Sequence, residues 1–322
     1  MHHLCRILKS YRIYLWSISC SVLVMKRSCL NFACAAPENV IKDGKFQRKE
    51  DSKWIQRYRC KSCGSRFSSA TFSDFYRQKK RRINSALFKN LASNMSMRRC
   101  AQNLGIDKKT VKRRLPFLAK RARSYNEELI QKFKGRIHNI QLDDLITKEN
   151  SKCKPLSVTI VVDEERRTIL AAEVSRIPAF GHLTKIALKK YGIRKDEHFE
   201  GLDRVFKKIA PLVNPEVRVR SDEHQRYPSY ISSYLPRAKH EAFTSERATV
   251  AGQGELKKVQ FDPLFIVNHT CAMMRANVNR LIRKTWCTTK DPERLKDHLD
   301  IFIYFYNRLV LGRSLTPLWS VS

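Results

Sequence analysis

The stretch IHNIQLDDLI, residues 137–146, decides how the larger part of the chain folds. It has the spacing of a strand and carries two adjacent aspartates near its end. Two further strands follow, KPLSVTIVVD at 154–163 and RTILAAEVS at 167–175, joined by a tight charged turn at Glu164 to Arg166. A helical stretch around Gly201 to Ile209 comes next. PEVRVRSDEHQRYPSYISSYL, residues 215–235, reads as a strand ending at Asp222 with a helix after it. Asp262 and Pro263 read as the cap and first residue of a long helix that runs through VNHTCAMMRANVNRLIRKTW, residues 267–286.

Three strands, a helix, a strand and further helices predict a mixed α/β domain over residues 136–312, of the ribonuclease H type or another α/β arrangement. Asp143 and Asp222 each close a strand. Carboxylates presented from neighbouring strand ends can share divalent metals in phosphodiester chemistry. Aspartates at strand ends are also ordinary turn residues, so the spacing alone leaves both readings open.

A chain of 322 residues is long enough for several domains. Its 64 Lys and Arg against 30 Asp and Glu give a formal charge of +34, which points to nucleic acid as the partner. No long basic amphipathic helix with a bulky apolar face accompanies that charge, which argues against a membrane-surface protein. Residues 1–24 are an uncertain leader. Their apolar run, IYLWSISCSVLVM, is shorter than the roughly 20 residues of a spanning helix. No small-residue cleavage site precedes the MKRSC that follows, so export is not expected and Met25 is an alternative start. The expected location is cytoplasmic, with the nucleoid.

Cys29 and Cys34 are followed by Cys60 and Cys63 in RYRCKSCGSRF. Two such pairs make a tetrahedral thiolate site, Gly64 suits the turn behind the second, and WIQRYRC alternates like a strand. Residues 25–70 therefore predict a zinc ribbon, with a set of free cysteines in a small core as the alternative. So small a domain with few large apolar groups needs the metal. Cys100, Cys153, Cys271 and Cys287 read as structural thiols.

Between Arg77 and Tyr125 stand 16 Lys or Arg and a single acid, Asp107. Within MRRCAQNLGIDKKTVKRRL, Ala101 is small where two helices would cross and Gly105 serves the turn. Leu104, Ile106 and Val111 supply the contacts between helices. This predicts a helix-turn-helix over residues 76–125, with RRINSALFKNLASN, 81–94, as its supporting helix. Asp107 caps a second helix whose Lys108, Lys109, Thr110, Lys112 and Arg113 can enter a major groove, and Pro116 limits how far it runs undisturbed. A plain helical hairpin with a solvated basic face is the alternative. The amphipathic run KRARSYNEELIQKFKGRI follows.

Taken together, the cysteines, QLDDLIT with KCKPLSV, SDEHQRYPSY, and NHTCAMMR continuing into RLIRKTWCTTK resemble a bacterial insertion-sequence transposase of the DDE type. The similarity is to the IS-one-like group and its ISXO-type relatives, over roughly residues 25–310. It implies a ribonuclease H-like catalytic domain that binds the inverted-repeat ends of its element and cuts and rejoins double-stranded DNA. The implied cofactors are Mg2+ or Mn2+ at the catalytic site and a structural zinc. The resemblance places Asp143 as the first catalytic aspartate and Asp222 as the second, with Asp144 and Glu223 as the neighbouring alternatives. The third acidic position falls at Asn268, where members of the group carry asparagine or glutamate. Synapsis of two ends implies a homo-oligomer on DNA.

Asn268 and Arg275, seven residues apart, share a helical face, beside the apolar stripe of Val267, Cys271, Met274, Val278 and Leu281. An asparagine carbonyl is a neutral and weaker ligand than a carboxylate, so the second metal site is expected to be weak. Arg275, Arg280, Arg283 and Lys284 are candidate phosphate contacts, or else a solvated basic face. His269 reads as a packing residue or one that supports the ligands from behind, and His224, nearer the second aspartate, has the better claim to act as a metal ligand or general base. Two other functions remain open: a DNA-binding regulator or decayed copy without catalysis, and a nuclease or resolvase of the ribonuclease H class.

Overall fold

A computed structural model describes residues 28–244, 262–282 and 286–312, with the side chains of 309 and 310 excepted. The leader, Arg283, Lys284 and the C-terminal GRSLTPLWSVS from 313 onward lie outside the described residues. The chain divides into two compact units, one ending at Arg81 and one beginning at Arg82.

In the first unit β1 (Val40–Gln47), β2 (Trp54–Cys60) and β3 (Arg66–Ser68) form an antiparallel sheet in that order. The expected alternation of WIQRYRC holds at its end, where Tyr58 and Cys60 are buried and Arg57 and Arg59 exposed. The apolar core is small: Ile55, Tyr58, Phe67 and Phe75, with the Tyr58 and Phe67 rings stacked at 5.5 Å.

The second unit is built on a mixed sheet of order β6-β5-β4-β7-β8. Its strands are β4 (Ile137–Glu149), β5 (Ser151–Asp163), β6 (Ile169–Arg176), β7 (Val213–Asp222) and β8 (Lys239–Phe243). β4, β5 and β6 pair antiparallel as successive hairpins, while β7 joins β4 in parallel and β8 joins β7 in parallel. Apolar side chains fill both faces. On one face Ile140, Leu142, Val161, Val217 and Val219 pack under α5 (His198–Ile209) and α6 (Tyr227–Tyr234). On the other, Leu145, Val158, Ile160 and Val162 pack under α7 (Phe265–Asn277) and α8 (Pro292–Phe305). The short α4 (Leu183–Tyr191) buries only Ala187.

The basic helical segment forms α1 (Ile83–Ala92), α2 (Met97–Asn103) and α3 (Lys108–Gln131). Ala101 is buried at the α2 crossing, and Gly105 turns the chain with φ of 58°. Asp107 caps α3 by accepting the Lys109 N–H at 2.6 Å. These helices also enclose Ile301 and Tyr304 of α8, whose Leu295, Leu299 and Phe302 pack on the sheet, so α8 lies between the segment and the sheet.

Element boundaries differ from the sequence reading at several points: β4 runs on to Glu149, so Asp143 lies within the strand and not at its end, and α7 begins at Phe265 after Leu264, not at Pro263. Pro116 does not disturb α3, which runs 24 residues and takes in the amphipathic run that followed as far as Gln131. The N–H that proline lacks would have bonded the carbonyl of Lys112, an exposed residue where water can serve instead. Leu115, Leu118, Ala119 and Ala122, all fully buried, hold the helix through that point. By contrast α7 stops at Asn277 and does not reach residue 286. The Asn277 side chain donates back to the Met273 carbonyl at 2.8 Å, and its own carbonyl accepts Asn94 N–H at 3.0 Å. Val278 and Leu281 of the expected stripe are buried in the same core from extended and turn backbone.

Gly201 lets α5 lie close against β6. A Cβ there would overlap Ser175 Oγ of β6 and sit 3.2 Å from its Cβ. Gly201→Ala is expected to cost about 1–3 kcal/mol in denaturant unfolding, by forcing α5 off β6. Part of the loss should return when Ser175→Ala removes the overlapping hydroxyl.

Candidate functional site

Successive residues of a strand point to opposite faces, and β4 applies this to its two aspartates. Asp143 faces α7 and Asp144 faces α5 and α6, as their contacts show. The last paired position of β4 and β7 is Leu142 with Ser221, which places Asp143 and Asp222 next to each other one residue further on. The two expected aspartates are therefore neighbours on one face.

Their surroundings are unfavourable for charge. Burial, followed by the negative charge of Asp222, pushes the Asp143 carboxyl up to about 6, against the pull of the Asp144 N–H and Arg275. Burial also raises Asp222, with His224 opposing and Asp144 and Glu223 adding to the shift. Asp222 Oδ1 is buried and has no hydrogen-bond partner among the described residues. Asp143 Oδ1 accepts its neighbour's N–H at 2.7 Å, while Oδ2 meets the weak thiol donor of Cys271 at 3.9 Å. Two crowded carboxylates with poorly satisfied oxygens fit a divalent cation.

Helix α7 is set over this pair by Gln141, on the same face of β4. Its Nε2 donates to the Pro263 carbonyl at 3.0 Å and its Oε1 accepts Val267 N–H at 3.0 Å. Asn268, Cys271 and Arg275 then follow one helical face; the Cys271 thiol reaches Asp143, and the Arg275 charge acts on the same carboxyl. The Asn268 amide donates to Asp262 Oδ2 at 2.9 Å, at the start of its own helix. His269 packs on the ring of Phe265, 5.8 Å between centroids, in keeping with a packing role.

Asp144 has a different environment. Ser157 Oγ and Thr159 Oγ1 both donate to its Oδ1 at 2.6 Å, and Tyr227 Oη and His198 Nε2 both reach its Oδ2 at 2.8 Å. Burial pushes this carboxyl up, but the bonds it accepts from His198 and the two hydroxyls outweigh that and hold it down to about 2. His224 stacks on Tyr227 at 4.7 Å and meets His198 edge-on at 5.2 Å. Asp144, His198 and His224 bring their ligand-type atoms within 4.8 Å of one another. Sequence reading missed His198, Tyr227, Ser157 and Thr159. The available signal was the pair of hydroxyl residues at alternate positions of the otherwise apolar stretch 155–162 of β5.

Among the basic candidates, Lys108, Lys109, Lys112 and Arg113 are exposed on the first turns of α3, and Thr110 is half-buried. Arg275 stands in the aspartate site. Arg280 lies beyond the end of α7 and donates to the Thr288 carbonyl at 3.1 Å, and burial pulls its pKa down. Glu223 is exposed and accepts from Thr244 Oγ1 at 3.0 Å.

In the first unit the sulfurs of Cys29, Cys34, Cys60 and Cys63 lie within 4.8 Å of one another, with Cys29–Cys63 at 3.5 Å and Cys34–Cys60 at 3.6 Å. A tetrahedron of 2.3 Å metal–sulfur bonds has edges of about 3.8 Å, so the cluster can hold one metal ion. The N–H of Ser65 brings the Cys63 thiol down to about 6, while loss of solvent pushes Cys34 up to about 12. No described helix is long and apolar enough to cross a membrane.

No protein-family model and no curated protein matches the chain.

The raised Asp143 pKa has a consequence for stability. Between its ordinary value of 3.8 and about 6, the folded state keeps a proton that the unfolded state has released, so stability falls as pH rises through that window. Asp143→Asn carries no such penalty. Without added divalent cation it should be about 2–3 kcal/mol more stable than wild type at pH 7.5 and equal to it below pH 3.5, as read by denaturant titration at both values.

Proposed function

We propose that the chain is a DNA strand transferase of the insertion-sequence transposase class, with Asp143 and Asp222 as its cation-binding carboxylates. The observation that carries this reading is their placement side by side on the parallel strands β4 and β7, facing α7, with oxygens left poorly satisfied. A ribonuclease H-like fold is supported by the antiparallel β4–β5–β6 meander continued by parallel β7 and β8, with helices on both faces. A helix-turn-helix is supported by the left-handed Gly105 between α2 and α3 and by the exposed cations that open α3.

Bound Mg2+ or Mn2+ supplies Lewis-acid activation of an attacking oxygen and neutralises charge on the leaving one. Asp143 and Asp222 provide the negative charge and fix where it lies. Asn268 is the third candidate ligand, through its carbonyl oxygen, and contributes no charge. Arg275, on the same helical face, is placed to pair with a phosphate oxygen beside the carboxylates. Lys108, Lys109, Thr110, Lys112 and Arg113 face the groove and backbone of the element ends. Arg280, turned onto Thr288, is a weaker candidate for that task.

The test is divalent-cation-dependent nicking of a duplex carrying the inverted repeat. Asp143→Asn and Asp222→Asn should each lower the rate by more than the about 10–100-fold that loss of a supporting partner costs. Equal rates in all three proteins overturn the assignment. The Asn268 amide, committed to Asp262, favours a second reading in which the chain binds DNA without cutting it. That reading holds if neither wild type nor Asn268→Glu nicks the duplex while both bind it.

For the first unit we propose zinc, the ion whose bond lengths and all-sulfur coordination suit the four thiols. Elemental analysis should find one zinc per chain, lost in Cys60→Ala together with the folded signals of residues 28–81.

A further inference from the structure

We infer that Asp144 is a positioning residue: it fastens the loop that follows β7, and so Asp222, to β4, and thereby sets the spacing of the two cation-binding carboxylates. The inference rests on the reading of Asp143 and Asp222 given above.

Asp222 needs such a fastening because it is the last residue of β7, paired with Phe243 of β8, and the chain leaves the sheet immediately after it. Beyond Glu223, which accepts from Thr244 just past β8, the side chains that tie the loop back towards β4 are Arg226 and Tyr227, at the start of α6. Tyr227 Oη donates directly to Asp144 Oδ2 at 2.8 Å. Arg226 reaches the same carboxylate through His198, its Nη1 lying 3.1 Å from His198 Nδ1, while its Nη2 holds Asp196 at 2.6 Å. Within the loop, His224 Nδ1 accepts the Arg226 N–H at 3.3 Å and the His224 carbonyl accepts the Tyr227 N–H at 3.1 Å. The far end of the loop is therefore tied to the residue next to Asp143, across the sheet from the cation site.

The same geometry argues against the other use of this cluster, a metal ion held by Asp144, His198 and His224. A guanidinium only donates, so His198 Nδ1 must be the acceptor and its proton sits on Nε2, where it is given to Asp144. That leaves Nε2 no lone pair for a metal. Asp144 is also engaged on both oxygens, twice by hydroxyls of β5 and twice from α5 and α6. A carboxylate bonded on all sides acts as a rigid junction between β4, β5, α5 and α6.

Tyr227→Phe removes one hydroxyl and keeps the ring. Calorimetric titration of the zinc-loaded full-length protein with Mn2+ reads the site without requiring activity. The expected result is an approximately tenfold weaker Mn2+ affinity in Tyr227→Phe, with the Tm in the absence of Mn2+ within a few degrees of wild type. Metal-free binding to the repeat duplex should be unchanged, so the defect appears only in cation binding and in the Mg2+ concentration needed for nicking. Should Tyr227→Phe fold poorly, Ser157→Ala loosens the same carboxylate without touching the loop, and a weakening of about threefold or more is expected. An unchanged Mn2+ affinity in the folded variants overturns the inference. If wild type and Asp143→Asn bind Mn2+ alike, the cation site itself is misassigned, a separate failure that the same titration reveals.

Discussion

The period of two along β4 is the constraint on which the second unit depends. Adjacent side chains of a strand cannot share a face, so Asp143 and Asp144 enter different environments although they are neighbours in sequence. One meets Asp222, Cys271 and Arg275, where charge is crowded and hydrogen bonds are few. The other meets four donors and is fully satisfied. A slip of one residue would exchange these environments and turn Leu142 and Leu145 out of their cores at the same time. The apolar residues of β4 therefore hold the register that the aspartates require.

Burial of a strand on both faces needs helices on both, and the chain supplies them from distant segments. Gln141 pins the start of α7 with two hydrogen bonds to backbone. Asn307, fully buried just beyond α8, accepts the Ile169 N–H at 2.9 Å and donates to the Ile169 carbonyl at 2.9 Å and to Asn126 of α3 at 2.7 Å. One amide thus joins β6, α3 and the end of α8. Such bonds contribute only about 1 kcal/mol each, but an unpaired partner in the same place would cost more, so they specify which helix lies where. The crowded aspartates work in the opposite sense, as a local loss of stability tolerated beside a well-packed core.

Much of this was legible locally. The strands at 137–163 and 169–176, the turn at Gly105, the cap at Asp107 and the convergence of four cysteines all follow from patterns within a few residues. The stripe of Val267, Cys271, Met274, Val278 and Leu281 is buried as its apolar character requires, yet the helix under it ends at Asn277 because Asn94 takes the terminal carbonyl. That bond joins positions far apart in sequence, which no local period can reveal. The Asp144 junction was hidden for the same reason: its donors come from β5, α5 and α6. Parity alone separates Asp143 from Asp144, but only the paired register of β4 and β7 says which of them meets Asp222.

Helix α3 runs unbroken for 24 residues, about 36 Å, from its capped basic end to a buried Ile130 under the sheet. A rod of that length, clamped along α8, transmits displacement without bending. On the reading proposed above, the span between the cations that open α3 and the carboxylates of β4 and β7 is set by the protein, through a helix about as long as ten base pairs of duplex rise.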